Sequence, residues 1–198
     1  MKHLKLTKGI LAIAIIALVF TSCKENKKDQ DDNDGTHVEM KNEDHSKMKH
    51  NNELAENSST TKIIDAYIQI KNGLVADSKD NTAKGATAML TAFSKFDMTK
   101  LSNEAHKSYM EIYESAKEQA EHIVKSPIAH QREHFETLSA DVGDLIELLG
   151  TEKTLYKDFC PMANKNKGAY WLSEIKEIRN PYFGARMLKC GAVKDQIN

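Results

Sequence analysis

From about Thr60 onward the apolar positions recur at helical spacing, and polar residues fill the gaps between them. Ile63, Ile64, Tyr67, Ile68, Leu74 and Val75 form one stripe. Lys79-Asp80-Asn81-Thr82 breaks it with a capping residue, and Ala86, Met89, Leu90, Phe93 and Phe96 form a second. After another break at Asp97–Leu101, Ser102 is suited to cap a third helix striped by Ala105, Tyr109, Ile112, Ala116, Ala120 and Ile123. Ser126-Pro127 stops that helix and starts the next, with Ser at the N-cap and Pro in the first turn. Ile128, Phe135, Leu138, Val142, Leu145 and Leu149 stripe the fourth, and Gly150 suits its C-terminal cap.

Four amphipathic helices with short links predict a mainly α protein built as an antiparallel four-helix bundle. The pattern changes from about Thr151, where Tyr156, Phe159, Tyr170, Trp171, Tyr182 and Phe183 crowd among glycines and Pro181. Leu155–Phe159 and Ala169–Leu172 read as short strands joined by a turn at residues 164–168. This short C-terminal loop and β-hairpin segment is expected to pack on the bundle, being too small for a core of its own.

The N-terminal third is patterned differently. Lys2, Lys5 and Lys8 precede an unbroken apolar run of eleven residues, Ile10 to Phe20. A bilayer-crossing helix needs about 20 apolar residues, so residues 1–22 read as a secretory signal. Phe20-Thr21-Ser22-Cys23 resembles the lipobox of bacterial lipoproteins, with Phe20 where that pattern usually has leucine. Cys23 is therefore the expected lipid-attachment residue, and the mature chain would be lipid-anchored in the cell envelope, facing the periplasm or the cell surface. Residues 23–57 read as a disordered acidic tether: ten acids, six lysines and six asparagines lie between 24 and 57, with almost nothing apolar to fold around. The folded domain is expected over residues 58–198.

Loss of the three signal lysines takes the formal charge from −1 to −4. Such a balance, with no concentrated basic face, gives no nucleic-acid partner. There is also no nucleophile–base pair, no phosphate-cradling glycine loop and no dinucleotide fingerprint, so no enzyme is expected.

Several motifs are recognisable in order. Residues 160–163 (Cys-Pro-Met-Ala), 168–173 (Gly-Ala-Tyr-Trp-Leu-Ser), 179–184 (Arg-Asn-Pro-Tyr-Phe-Gly) and 186–191 (Arg-Met-Leu-Lys-Cys-Gly), together with His130-Gln131-Arg132-Glu133-His134-Phe135, resemble an uncharacterised bacterial family, domain of unknown function 3347. The resemblance runs over roughly residues 60–197. It implies an envelope protein associated with heavy-metal efflux adaptor proteins, handling copper, without known catalysis.

The candidate chemistry is metal ligation. Cys160, Met162, Met187 and Cys190 offer soft sulfur donors of the kind that select Cu(I). His130 and His134, at i, i+4 on one helix face, can share an ion with them. Their string also matches H-x-x-E-H, but a protease needs a third ligand and a cleft that nothing here supplies. In the tether His37, Met40, His45, Met48 and His50 fall within fourteen residues and form a second, weaker candidate set. Of the remaining histidines, His106 and His122 lie off the apolar stripe of the third helix and read as solvated.

Two functions follow. In one, the chain is an envelope lipoprotein that binds a soft metal ion, copper as Cu(I) foremost, for buffering or delivery to an efflux system. In the other it is a non-catalytic interaction module in which Cys160 and Cys190 form a disulfide, closing a loop of about 30 residues for roughly 3–4 kcal/mol.

Overall fold

A computed structural model describes the backbone from His45 and the side chains from Ser59 to the C-terminus at Asn198. The signal, Cys23, His37 and Met40 lie outside the described residues, as do the side chains of His45, Met48 and His50.

Helices α1 (His45–Val75), α2 (Lys79–Ser94), α3 (Asn103–Lys125) and α4 (Ile128–Leu149) follow the four stripes. The backbone of α1 reaches back into the stretch read as tether. Ser78 caps α2 by accepting the Asn81 amide, and Ser102 caps α3 by accepting the Ala105 amide. At the third link Pro127 itself takes the N-cap place and Ile128 begins α4, one residue later than the Ser-Pro pattern suggests. Gly150 ends α4 with φ +76, a backbone angle that glycine adopts without a Cβ clash.

Each helix packs on the next in sequence, and α4 closes back on α1, giving an antiparallel bundle. Ile63, Ile64, Tyr67, Ile70, Leu74, Met89, Tyr109, Ile123, Phe135, Leu138 and Leu145 are buried in one continuous core. Glycine brings α1 and α2 close: a Cβ on Gly85 would stand 2.7 Å from the Ile70 nitrogen. No helix among the described residues is long and apolar enough to cross a membrane.

The tail is a three-stranded antiparallel sheet, where a hairpin was expected. β1 (Leu155–Cys160) lies between β2 (Ala169–Ser173) and β3 (Ala192–Ile197). Phe159 pairs with Tyr170 on one side and Ala192 on the other. The turn between β1 and β2 sits where it was read, with Asn164, Lys165 and Asn166 at positive φ. β3 escaped notice because it is mostly exposed and charged, so no apolar alternation marks it.

The sheet docks on α4 and α1. Trp171 and Leu172 are buried, and Tyr182 meets Phe135 of α4 at a ring distance of 5.8 Å. Along β2, the Leu172 amide donates to the Tyr67 hydroxyl and the Tyr170 carbonyl accepts from the Tyr182 hydroxyl. Two tyrosines thus satisfy backbone groups of an edge strand that would otherwise be open to another chain. Below the sheet, Asp158 is fully buried and Lys71, 2% exposed, reaches the Ser173 hydroxyl at 3.4 Å.

Candidate metal centre

The site is built from one helical hairpin. α3 and α4 run antiparallel about Ser126-Pro127, so residues equally far from that link face each other. Gln119 stands seven positions before Ser126 and His134 seven after Pro127, and the Gln119 Oε1 lies 2.8 Å from the His134 Nδ1. By the same symmetry His122, four before the link, comes beside His130 and His134. The His122 and His134 rings stack at 4.5 Å, and the His130 and His134 rings meet edge-on at 4.6 Å. Among the described residues these three histidines form a group able to hold a metal ion, one nitrogen from each lying within 4.8 Å of the others.

Hydrogen bonds at the far side of two rings decide how the nitrogens face one another. The His130 Nδ1 is 2.6 Å from the Glu133 carboxylate. An ionised carboxylate only accepts, so His130 Nδ1 carries the proton. The His134 Nδ1 donates in turn to the Gln119 carbonyl oxygen. The two Nε2 atoms face each other 3.1 Å apart, a spacing that a shared proton or a metal ion can bridge. A carboxylate or amide behind a ligating histidine is also the arrangement that fixes its tautomer in metal sites.

The surroundings keep a proton off. Burial, then the neighbouring His122 and His130, hold the His134 pKa below the ordinary imidazole value, against the pull of Glu133 and Glu118. A neutral imidazole is the form that ligates. Ligands about 2.0–2.1 Å from an ion stand roughly 3.3–3.5 Å apart. The Nε2 pair is near that spacing already, and a His122 nitrogen stands within 4.8 Å of the group. His122 and His130 are exposed, so an ion can enter from solvent.

Among the described residues the group of candidate ligands at the histidines includes neither Cys160 nor Cys190. The tail meets α4 through Arg132, Phe135, Glu136 and Ser139, while His130 and His134 look across to α3. Of the four sulfurs, Cys160 and Cys190 do meet, with Sγ atoms 2.7 Å apart as free thiols. Met162 is 47% exposed at the surface, and Met187 offers its backbone carbonyl to the Cys190 amide. The hydrogen bond to Cys160, with burial, pushes the Cys190 thiol up to about 11.

The string around the histidines divides by face. Gln131 is buried and donates to the carbonyls of Lys79 and Ile123. Arg132 clamps the tail, and Phe135 stacks on Tyr67 at 5.1 Å. Only His130, Glu133 and His134 are free for the surface site. His122 was missed from sequence because it lies off the apolar stripe. The mirror symmetry of the hairpin about Ser126-Pro127 was the signal that could have found it.

Residues 63–154 match the model of a family described as "Protein of unknown function (DUF3347)". That stretch of the chain resembles this family. The match takes in the four helices from Ile63 and the whole histidine hairpin, and ends before β1, so the cysteines lie beyond it. No curated protein and no solved structure matches the chain.

Proposed function

We propose that this chain is an envelope lipoprotein that holds a metal ion on the α3–α4 hairpin through His122, His130 and His134, for buffering or for delivery to an efflux system. The observation that carries the reading is the pair of inward-facing Nε2 atoms 3.1 Å apart, each with its Nδ1 engaged elsewhere. Three imidazoles suit copper, zinc, nickel or iron, and copper binds such donors most tightly of the divalent series. Copper is therefore the ion proposed first. The exposed position favours exchange over permanent structural binding. The lipid on Cys23 would keep the domain at a membrane surface, within reach of a transport partner.

The test is titration of the full-length chain with Cu(II), and with Cu(I) under anaerobic conditions, against the His122→Ala, His130→Ala, His134→Ala triple variant and the Cys160→Ser, Cys190→Ser double variant. Loss of one equivalent in the histidine variant, with the cysteine variant unchanged, supports the hairpin site. Equal binding by the wild type and the histidine variant sinks it.

The second reading, a non-catalytic interaction module stapled by a Cys160–Cys190 disulfide, is favoured by the contact between those two thiols. Both readings can hold together, since the two sites share no residue.

A further inference from the structure

Gly143 is the one residue of α4 that its helix does not explain. Glycine is the poorest helix former after proline, and its usual excuse inside a helix is a neighbour that needs the room. A Cβ built on Gly143 meets nothing within 4 Å. The room is instead part of a cleft of about 450 Å³ between α4 and the sheet, a size typical of small-molecule sites. The cleft lies on the face of α4 turned away from the histidines, since nine residues separate Gly143 from His134, about 180° round the helix.

The lining has two parts. Gly143, Ala140, Ile146, Ala169, Leu172 and Ile197 give an apolar floor. Glu136, Asp144, Glu147 and Asp195 stand around it, against the single cation Lys157. Among the described residues none of the four carboxylates is in an ion pair. Lys157, the cross-strand partner of Asp195, holds its ammonium 5.3 Å from the centre of the Tyr170 ring. That ring, half exposed at the cleft, already shows that it receives a cation on its face. An added peptide strand is excluded along β2, because Tyr67 and Tyr182 occupy its backbone groups.

We infer that the cleft between α4 and the sheet binds a small organic cation with an apolar body, the body over Gly143 and the charge among the carboxylates. An excess of acids around an apolar floor attracts a cation and repels an anion of the same shape. Gly143 leaves the helix backbone bare where the ligand lies closest.

Tetraphenylphosphonium and tetraphenylborate are matched in shape and opposite in charge, so they separate this reading from simple apolar adsorption. Titration calorimetry of the full-length chain is expected to show saturable binding of the phosphonium, with the borate at least about tenfold weaker. Gly143→Leu fills the cleft and is expected to abolish binding while leaving the melting temperature no lower than that of the wild type. Asp144→Asn with Glu147→Gln is expected to weaken binding about three- to tenfold and to flatten its salt dependence. The His122, His130, His134 triple variant is expected to bind the phosphonium as the wild type does. Equal affinity for the two ions, undiminished binding by Gly143→Leu, no binding of the phosphonium at all, or its loss in the histidine variant would each overturn the inference.

Discussion

Arg132 of α4 and Asp77, just beyond the end of α1, are held together over the tail. The guanidinium donates to the Asp77 carboxylate, to the Leu74 carbonyl at 3.0 Å and to the Pro181 carbonyl at 2.9 Å. Asp77 in turn accepts the Ala185 amide at 2.9 Å. Gly184 sits between them at φ +56, where a Cβ would strike the Asp77 carboxylate. One ion pair thus ties two helices and the tail to a single point.

Arg132→Met removes three donations at once while keeping most of the side-chain volume. Carbonyls left without a donor cost about 1–3 kcal/mol, and each kcal/mol lowers the melting temperature of a domain this size by roughly 2–4 °C. Limited proteolysis is expected to cut the variant within residues 174–190 before it cuts the bundle. Uniform protection equal to wild type would show that the clamp is dispensable. The Asp77 carboxyl is held below its ordinary pKa by the Ala185 amide and then by Arg132. Its contribution is therefore present above the unfolded carboxylate value and is lost as the pH falls through the lowered one.

Glu133 touches no ion in the proposed site, yet it sets which His130 nitrogen is free. Glu133→Gln keeps the shape and removes the charge. Copper affinity is expected to fall about 10–100-fold with the stoichiometry unchanged, and the Nδ1 proton signal of His130 should move in the NMR spectrum. An Ala substitution at exposed Glu121 serves as the control for general loss of negative charge.

Asp158 gives the fold a pH dependence of its own. Burial pushes its carboxyl up to about 7, with Lys71 and then Trp171 pulling the other way. For an acid whose folded pKa is raised, stability is full below the unfolded value of about 3.9 and is lost as the pH rises through the folded one. Wild-type melting is thus expected to fall between about pH 4 and pH 7. Asp158→Asn with Lys71→Met, which removes both buried charges, should flatten that slope. A slope unchanged in the double variant would place its origin elsewhere.

Cys160 and Cys190 are placed to close a loop under oxidation. Exposure of the reduced protein to oxidised glutathione is expected to remove both free thiols and two hydrogens from the intact mass. The gain is about 3 kcal/mol on the chain-entropy model, read as a higher melting temperature that the Cys160→Ser, Cys190→Ser variant does not show. Retention of two titratable thiols would count against the staple.

How much of this could be read in advance depended on whether a position was apolar. Ile63, Ile64, Tyr67, Phe135, Leu138 and Leu145 all lie in the core where helical spacing put them. Ser102 and Gly150 act at helix ends because capping chemistry is local, whereas α2 is capped by Ser78 and already includes the stretch 79–82 read as the break before it. Buried polar residues gave no such warning. Gln131, Lys71 and Asp158 look like surface residues in a periodicity plot, and only the packed neighbours show otherwise. β3 is held by backbone pairing to β1 with little burial, so its side chains carry no strand signature. At the candidate site, His130 and His134 were visible as an i, i+4 pair. His122 required knowing how α3 folds back on α4. The sulfurs were grouped by sequence proximity and chemical softness, and of these Cys160 and Cys190 stand in contact.

All three histidines come from a stretch of thirteen residues, His122 to His134, that needs no distant part of the chain to assemble. Contacts of such short sequence separation form early and fast. The hairpin is able to gather its nitrogens while the sheet is still unpaired, and to keep them gathered if the tail detaches. An ion captured early at the proposed site would add its binding energy to the nascent hairpin. The length of the Ser126-Pro127 link carries the same logic in reverse: one inserted residue there would rotate α4 against α3 and part His122 from the His130–His134 pair without touching any of them.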